Sequence, residues 1–256
     1  VACDPRRGAA EAVLECAANL ACVGAVPLGL TNCLNFGNPE KPHVAWQLTE
    51  AVDGLAEACR ELGVPVIGGN VSLYNEAPAG PILPTPVVGM VGRLADPARS
   101  GRLGFAAEGD AIALVGTFAP SLQGSELAKL RGEAPAGPLP PLDYARVRAT
   151  HDQVRALVAA GEVRGAHDIA EGGIAVALAE CCVAGAIGAS VTLPGDLDPF
   201  AEAPGRAFLV SGPARALDGL LVIGRVGGGT LAIAGVLQLP VSELSAERER
   251  GLARFL

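Results

Sequence analysis

Three short segments of the 256-residue chain carry residue types that suit phosphate and divalent-cation chemistry. Gly68-Gly69-Asn70-Val71-Ser72 directly follows the apolar run Val64–Ile67. Two glycines let a backbone approach a ligand closely and turn N–H groups toward phosphate oxygens. An asparagine oxygen is a hard donor suited to Mg2+, and a serine hydroxyl can donate to an anionic substrate. The same residues also read as an ordinary Gly-Gly-Asn turn between strands. The second segment is Thr31-Asn32-Cys33-Leu34-Asn35-Phe36-Gly37-Asn38-Pro39. Its amides fall at the end of a predicted strand, where open α/β sheets bind ligands. Asn32 or Asn35 could hydrogen-bond a nucleotide or hold a metal-bound water; the residues alone favour an ordinary Asx-rich turn. The third is His167-Asp168-Ile169-Ala170-Glu171-Gly172-Gly173. Gly172 and Gly173 at a helix start leave N–H groups free for a phosphate. Asp168 reads either as part of that anion site or as a helix cap. Side chains of neighbours such as His167 and Asp168 usually point apart, so no catalytic pair is expected there.

These segments need elements to hold them. Residues 8–23 and 43–62 have the three- and four-residue apolar spacing of helices, and Gly63 is a natural stop for the second. Strands are predicted over 27–34, 64–67 and 86–94, with Gly68-Gly69-Asn70 as a loop after the second. The irregular stretch 96–109 separates this part from a second one. That part opens with the apolar strand 111–115, passes a Gly/Pro-rich stretch at 131–141, and continues with helices at 142–160 and 173–184. Strands follow at 190–193, 207–210 and 231–234. Each part mixes strands with long helices able to cover one sheet face. The expected fold class is therefore α+β (α/β layered), with domains at 1–107 and 108–256.

Composition narrows the function. Half of the residues are hydrophobic and 18% are charged, which argues against disorder. A net charge of -8 with no basic stripe argues against a nucleic-acid surface. The seven cysteines form no CxxC pair and mostly sit in apolar runs, as reduced thiols of a cytoplasmic protein would. No apolar run reaches the length of a membrane span. Walker A, GxGxxG, HExxH and GxSxG patterns are absent, and the three histidines lack metal-ligand spacing.

Read together and in order, DPRRGAAEAV (4–13), LTNCLNFGNPEKP (30–42), GGNVSLYNE (68–76), PTPVVGMVG (84–92), LQGSEL (122–127) and HDIAEGGIAVALAE (167–180) resemble the C-terminal half of the phosphoribosylformylglycinamidine synthase family, within the aminoimidazole ribonucleotide synthase superfamily. The resemblance implies an N-type and a C-type domain, the second of two such pairs. It implies ATP- and glutamine-dependent conversion of formylglycinamide ribonucleotide to formylglycinamidine ribonucleotide in purine biosynthesis, with ATP and Mg2+. By motif, Asn32 and Gly69 would contact ATP, Asn70 would bind Mg2+ and Ser72 would contact the substrate. Asp168, Gly172 and Gly173 would form an auxiliary phosphate site. No catalytic residue is assigned here, because the family's catalytic His and main Mg2+ carboxylates belong to the first pair; the chain alone is expected to be inactive. Asn32 stands where many members have Asp. The loop EAPGR (202–206) resembles a degenerate substrate motif that keeps Glu202 and Arg206. A start truncated before DPRRGA and a trimmed segment at 212–226 are also expected. Implied partners are the N-terminal half of the same enzyme, a glutaminase subunit or domain, a small accessory subunit and the small-molecule substrate, with self-pairing of this chain as a further option. The alternatives are a non-catalytic nucleotide-binding scaffold module and a single-pair paralogue such as aminoimidazole ribonucleotide synthase.

Overall fold

A computed structural model describes residues 1–117, 121–133, 139, 141–195 and 197–253; much of the Gly/Pro-rich stretch expected at 131–141 lies outside the described residues. Helix α1 (Pro5–Cys22) begins three residues before its apolar periodicity does. The Asp4 carboxylate accepts the Arg7 N–H at 2.9 Å and Pro5 occupies the first turn, where a missing N–H costs nothing. The chain continues through β1 (Val26–Asn35), α2 (Pro42–Leu62), β2 (Val66–Ser72), the short pair β3 (Glu76–Ala77) and β4 (Gly80–Pro81), and β5 (Thr85–Arg93). Gly63, at φ 66°, ends α2 in the left-handed conformation expected of a glycine stop.

Among the described residues, β2, β1 and β5 form a three-stranded sheet in that order, β1 running parallel to β2 and antiparallel to β5. Leu30 and Leu34 of β1 point to the helix side, where they join Val13, Phe36, Val44 and Leu55 in a core built with α1 and α2. The Gly68-Gly69-Asn70 segment is not a loop. It lies within β2, and its residues pair one for one with Thr31, Asn32 and Cys33 of β1.

The second half comprises β6 (Ala111–Gly116), α3 (Glu126–Leu130), α4 (Tyr144–Ala160), β7 (Gly165–Asp168), α5 (Gly173–Gly185), β8 (Ala189–Val191), β9 (Ala207–Gly212), β10 (Leu221–Val226), β11 (Thr230–Ile233), β12 (Leu237–Pro240) and α6 (Val241–Ala253). Its sheet has the order β12-β11-β8-β10-β6-β9-β7; β8 and β11 run parallel and the other neighbours antiparallel. Here the expectation of one covered face fails. Ile112, Leu114 and Leu209 pack with Ile174 and Leu178 of α5 on one side. Val115, Phe208 and Val210 pack with Val154 and Val158 of α4 and Ala18 and Ala21 of α1 on the other. The unbroken apolar run of β6 is the signature of a strand buried on both faces. Helix α1 therefore belongs to both cores and ties the two halves together. The segment 212–226 holds one short 3-10 turn (Ala214–Leu217) followed by β10.

Candidate functional site

The first sheet leaves its second face open, and the alternation of each strand decides what stands on it. The cross-strand pairs Cys33–Asn70 and Asn35–Ser72 share that face with Thr31, Thr85 and Val87. It divides into two zones. One end is polar, with Cys33, Asn35, Asn70, Ser72 and Thr85. The other is apolar: Ile67 is 67% exposed and packs over Gly29, while Val87 and Val91 are 54% and 57% exposed. Strand β2 is also an edge strand, so one row of its backbone groups has no strand partner among the described residues.

The structure separates the four residues expected to act here. Asn70 and Ser72 stand together on the open face. Asn32 and Gly69 are paired on the helix side. A Cβ at Gly69 would lie 2.6 Å from the Asn32 carbonyl oxygen and 2.7 Å from Asn32 Oδ1, so glycine is what lets the two strands lie flush. Asn32 thus lies over Gly69, on the face opposite Asn70. The polar end is fixed by a residue the sequence reading passed over. Asn75 Nδ2 donates to the carbonyls of Phe36 and Ser72, both at 3.0 Å, and to Ser72 Oγ at 3.1 Å. Tyr74 next to it has φ 61°, a left-handed conformation uncommon for a non-glycine residue, and is exposed. Lys41 and Glu76, 2.8 Å apart, close the same corner, and Glu76 Oε1 accepts the Asn38 N–H at 3.1 Å. The Lys41 contact and the Asn38 N–H hold the Glu76 carboxyl below its usual range.

This face can contribute to a cation site without completing one. Asn70 Oδ1 and Ser72 Oγ are neutral oxygens of the kind Mg2+ accepts. No group of three or more His, Cys, Asp or Glu able to hold a metal occurs among the described residues, so carboxylates would have to come from elsewhere.

The glycine turn of the second half is built differently. The Gly172 N–H donates to Glu202 Oε1 at 2.9 Å, Gly173 N–H to the Ala170 carbonyl at 3.1 Å and Ala175 N–H to the Pro199 carbonyl at 2.8 Å. A Cβ on Gly173 would meet Pro199, Phe200 and Ala201 backbone atoms at 2.7–2.8 Å. The donors expected to hold a phosphate are already engaged. The turn also borders a cavity of about 250 Å³ lined by Glu15, His167, Asp168, Glu171 and Glu180, whose carboxylates would repel an anion. Burial, and then the charges of Glu171 and Asp168, push the Glu15 carboxyl up to about 7. The geometry thus speaks against the phosphate role expected of Asp168, Gly172 and Gly173. His167 and Asp168 do meet, contrary to the sequence reading. His167 Nδ1 lies 3.2 Å from Asp168 Oδ1, and Nε2 lies 2.8 Å from Glu180 Oε2. Burial disfavours the charged ring, but these two carboxylates outweigh it and raise the His167 pKa to about 9. Arg206 is buried, 3.4 Å from Glu11, and Glu202 caps the turn, so the surviving residues of the 202–206 motif serve the interior.

Comparison with known proteins brings the two halves under one description. Residues 1–94 match the AIR synthase related protein, N-terminal domain, and residues 107–237 match the AIR synthase related protein, C-terminal domain. The chain is 51% identical, over 246 residues, to the phosphoribosylformylglycinamidine synthase subunit PurL of Moorella thermoacetica, covering 90% of this chain and 33% of that protein. It spans about a third of the length of the curated relatives it matches. Among solved structures, T. maritima PurL complexed with FGAR superimposes with a TM-score of 0.74 at 20% identity, covering 95% of this chain and 44% of that one. T. maritima PurL complexed with ADP gives 0.72 at 19% identity, covering 95% and 42%.

Proposed function

Because the chain belongs to the AIR synthase related family, we propose that it forms the C-terminal part of a phosphoribosylformylglycinamidine synthase. The whole enzyme would convert formylglycinamide ribonucleotide, ATP and glutamine-derived ammonia to formylglycinamidine ribonucleotide, ADP and phosphate. The observation that carries this reading is the open sheet face, where an exposed Gly-Gly-Asn strand and a polar corner adjoin an apolar zone. Such a half-polar, half-apolar face suits a shared site: the apolar zone docks another domain and the polar end faces the reactants. The relatives' greater length supports the N-terminal half of the same enzyme as that domain, with self-pairing of this chain as the fallback.

In the assembled enzyme Asn70 Oδ1 would supply one neutral oxygen to Mg2+, and Ser72 would hydrogen-bond the substrate. Bound Mg2+ offsets charge on the phosphoryl group in transfer. Asn32 and Gly69 would contact ATP from the paired β1 and β2 backbones, which the missing Cβ of Gly69 lets lie close together. The acid–base group and the metal carboxylates would come from the other half. Ammonia would come from a glutaminase subunit or domain, with a small accessory subunit as a further partner. Seven free thiols suit a reducing compartment such as the cytoplasm. No described helix is long and apolar enough to cross a membrane.

The test is turnover of formylglycinamide ribonucleotide with ATP, Mg2+ and ammonia, by the chain alone and after mixing with the N-terminal part of the Moorella relative. Activity only in the mixture is expected. Robust turnover by the chain alone, or none in a mixture shown to associate, overturns the proposal.

A further inference from the structure

We propose that Asn75 is a positioning residue, which fixes the Ser72 hydroxyl where it meets the substrate; its consequence for the reaction rests on the function proposed above. The support begins in the core. The Phe36 side chain is fully buried with Val13, Leu30 and Val44, which anchors the backbone at the end of β1. Phe36 N–H donates to the Ser72 carbonyl at 3.0 Å, and the Phe36 carbonyl accepts the Asn75 N–H at 3.2 Å. The left-handed Tyr74 lies between Ser72 and Asn75, where the chain turns back onto the strand ends. Asn75 Nδ2 lies 3.0 Å from both the Phe36 and the Ser72 carbonyl oxygens. Carbonyl oxygens only accept, so the amide nitrogen must stand there and the orientation of Asn75 is fixed.

Ser72 Oγ is 3.1 Å from Asn75 Nδ2 and 3.3 Å from Asn75 Oδ1. Whichever of these contacts carries a proton, the hydroxyl oxygen is held on the same amide. Among the described residues, no other side chain hydrogen-bonds it. A serine hydroxyl without such a partner spreads over three staggered rotamers. Asn75 thus ties the Ser72 side chain to the anchored Phe36 backbone. Asn70, two residues earlier on β2, meets Cys33 Sγ instead, at 3.6 Å from its Nδ2. The clamp therefore acts on Ser72 and the substrate, and leaves Asn70 and its metal alone.

Two measurements test this. In the full chain, three-bond NMR couplings of Ser72 report its rotamer; a single one is expected in wild type and averaging among several in Asn75→Ala. In the enzyme reconstituted with the N-terminal part of the Moorella relative, Asn75→Ala is expected to raise the KM for formylglycinamide ribonucleotide roughly threefold to tenfold, as for a lost hydrogen bond and a freed rotamer, with the Mg2+ requirement unchanged. Asn75→Asp keeps the size but sets an oxygen against both carbonyls. It is expected to do the same, and it replaces Asn75→Ala if that variant does not fold. In a Ser72→Ala background, either change is expected to add nothing. An equal rise in KM with and without the Ser72 hydroxyl, or an unaltered Ser72 rotamer in the Asn75 variant, overturns the positioning role. A KM unmoved by Ser72→Ala, beside a rotamer freed as expected, overturns the substrate contact of Ser72 and with it any part for Asn75 in the reaction.

Discussion

The chain contains two glycine-rich segments that look alike in sequence and end in opposite states. Gly68-Gly69-Asn70 lies on an edge strand, with the Asn70 side chain exposed beside Cys33. Gly172-Gly173 lies at a helix start where the Glu202 carboxylate and two backbone carbonyls have taken the donors. A glycine pair thus reports close approach, and only its surroundings say what approaches. At Gly69 it is the neighbouring strand, which leaves the outer face free. At Gly173 it is the 199–201 backbone, which leaves nothing free.

If this contrast is right, substitutions in the closed turn should cost stability and those on the open face should not. The largest effect is expected for Gly173→Ala. Its Cβ would clash with backbone, and its φ of 67° disfavours any side chain; overpacking and the left-handed conformation together predict a loss of about 2–4 kcal/mol, measured by chemical denaturation. A near-neutral result would mean that the turn is not packed as described.

Next comes a pH effect. The folded-state pKa of His167 is raised to about 9, so its stabilisation is complete below the unfolded value near 6.5 and fades as pH rises through 9. Wild type should lose about 1–2 kcal/mol more than His167→Gln between pH 6.5 and 9.5, with Glu180 partly solvent-screened. Parallel pH profiles would remove the ion pair from the account. A smaller loss, about 1 kcal/mol, is expected for Glu202→Ala, which strips a partner from the Gly172 and Glu126 N–H groups. Tight inorganic phosphate binding gained by Glu202→Ala would show that the turn is a phosphate site held shut by its own carboxylate. The smallest stability effect is expected for Asn70→Ala, within about 0.5 kcal/mol of wild type, as for a surface residue outside the packing. The reconstituted enzyme carrying it should nevertheless show a raised Mg2+ requirement.

Much of the scaffold was legible from the chain. The spacing of Val44, Leu48, Val52, Leu55 and Cys59 located α2, and Gly63 located its end. Asp4 and Pro5 could have located the start of α1 but lie outside its apolar stripe. The double burial of the second sheet was written in the unbroken run Ala111–Val115, a signal that also fits a buried helix segment. What could not be read was orientation. Asn32 and Asn35 look equivalent in sequence, yet a strand's two-residue period sends them to opposite faces. Cys33, an apolar thiol by composition, lands among the amides for the same reason. The closure of the second turn depends on Glu202, thirty residues away, whose partner no local pattern names.

Hydrogen–deuterium exchange along the backbone, measured before and after the chain is mixed with the N-terminal half of its Moorella relative, tests the central contrast most directly. Slowed exchange over residues 66–72 and 85–93, with residues 172–175 unchanged, is the expected result. Unchanged exchange over 66–72 in a mixture that associates, or new protection confined to 172–175, would contradict it.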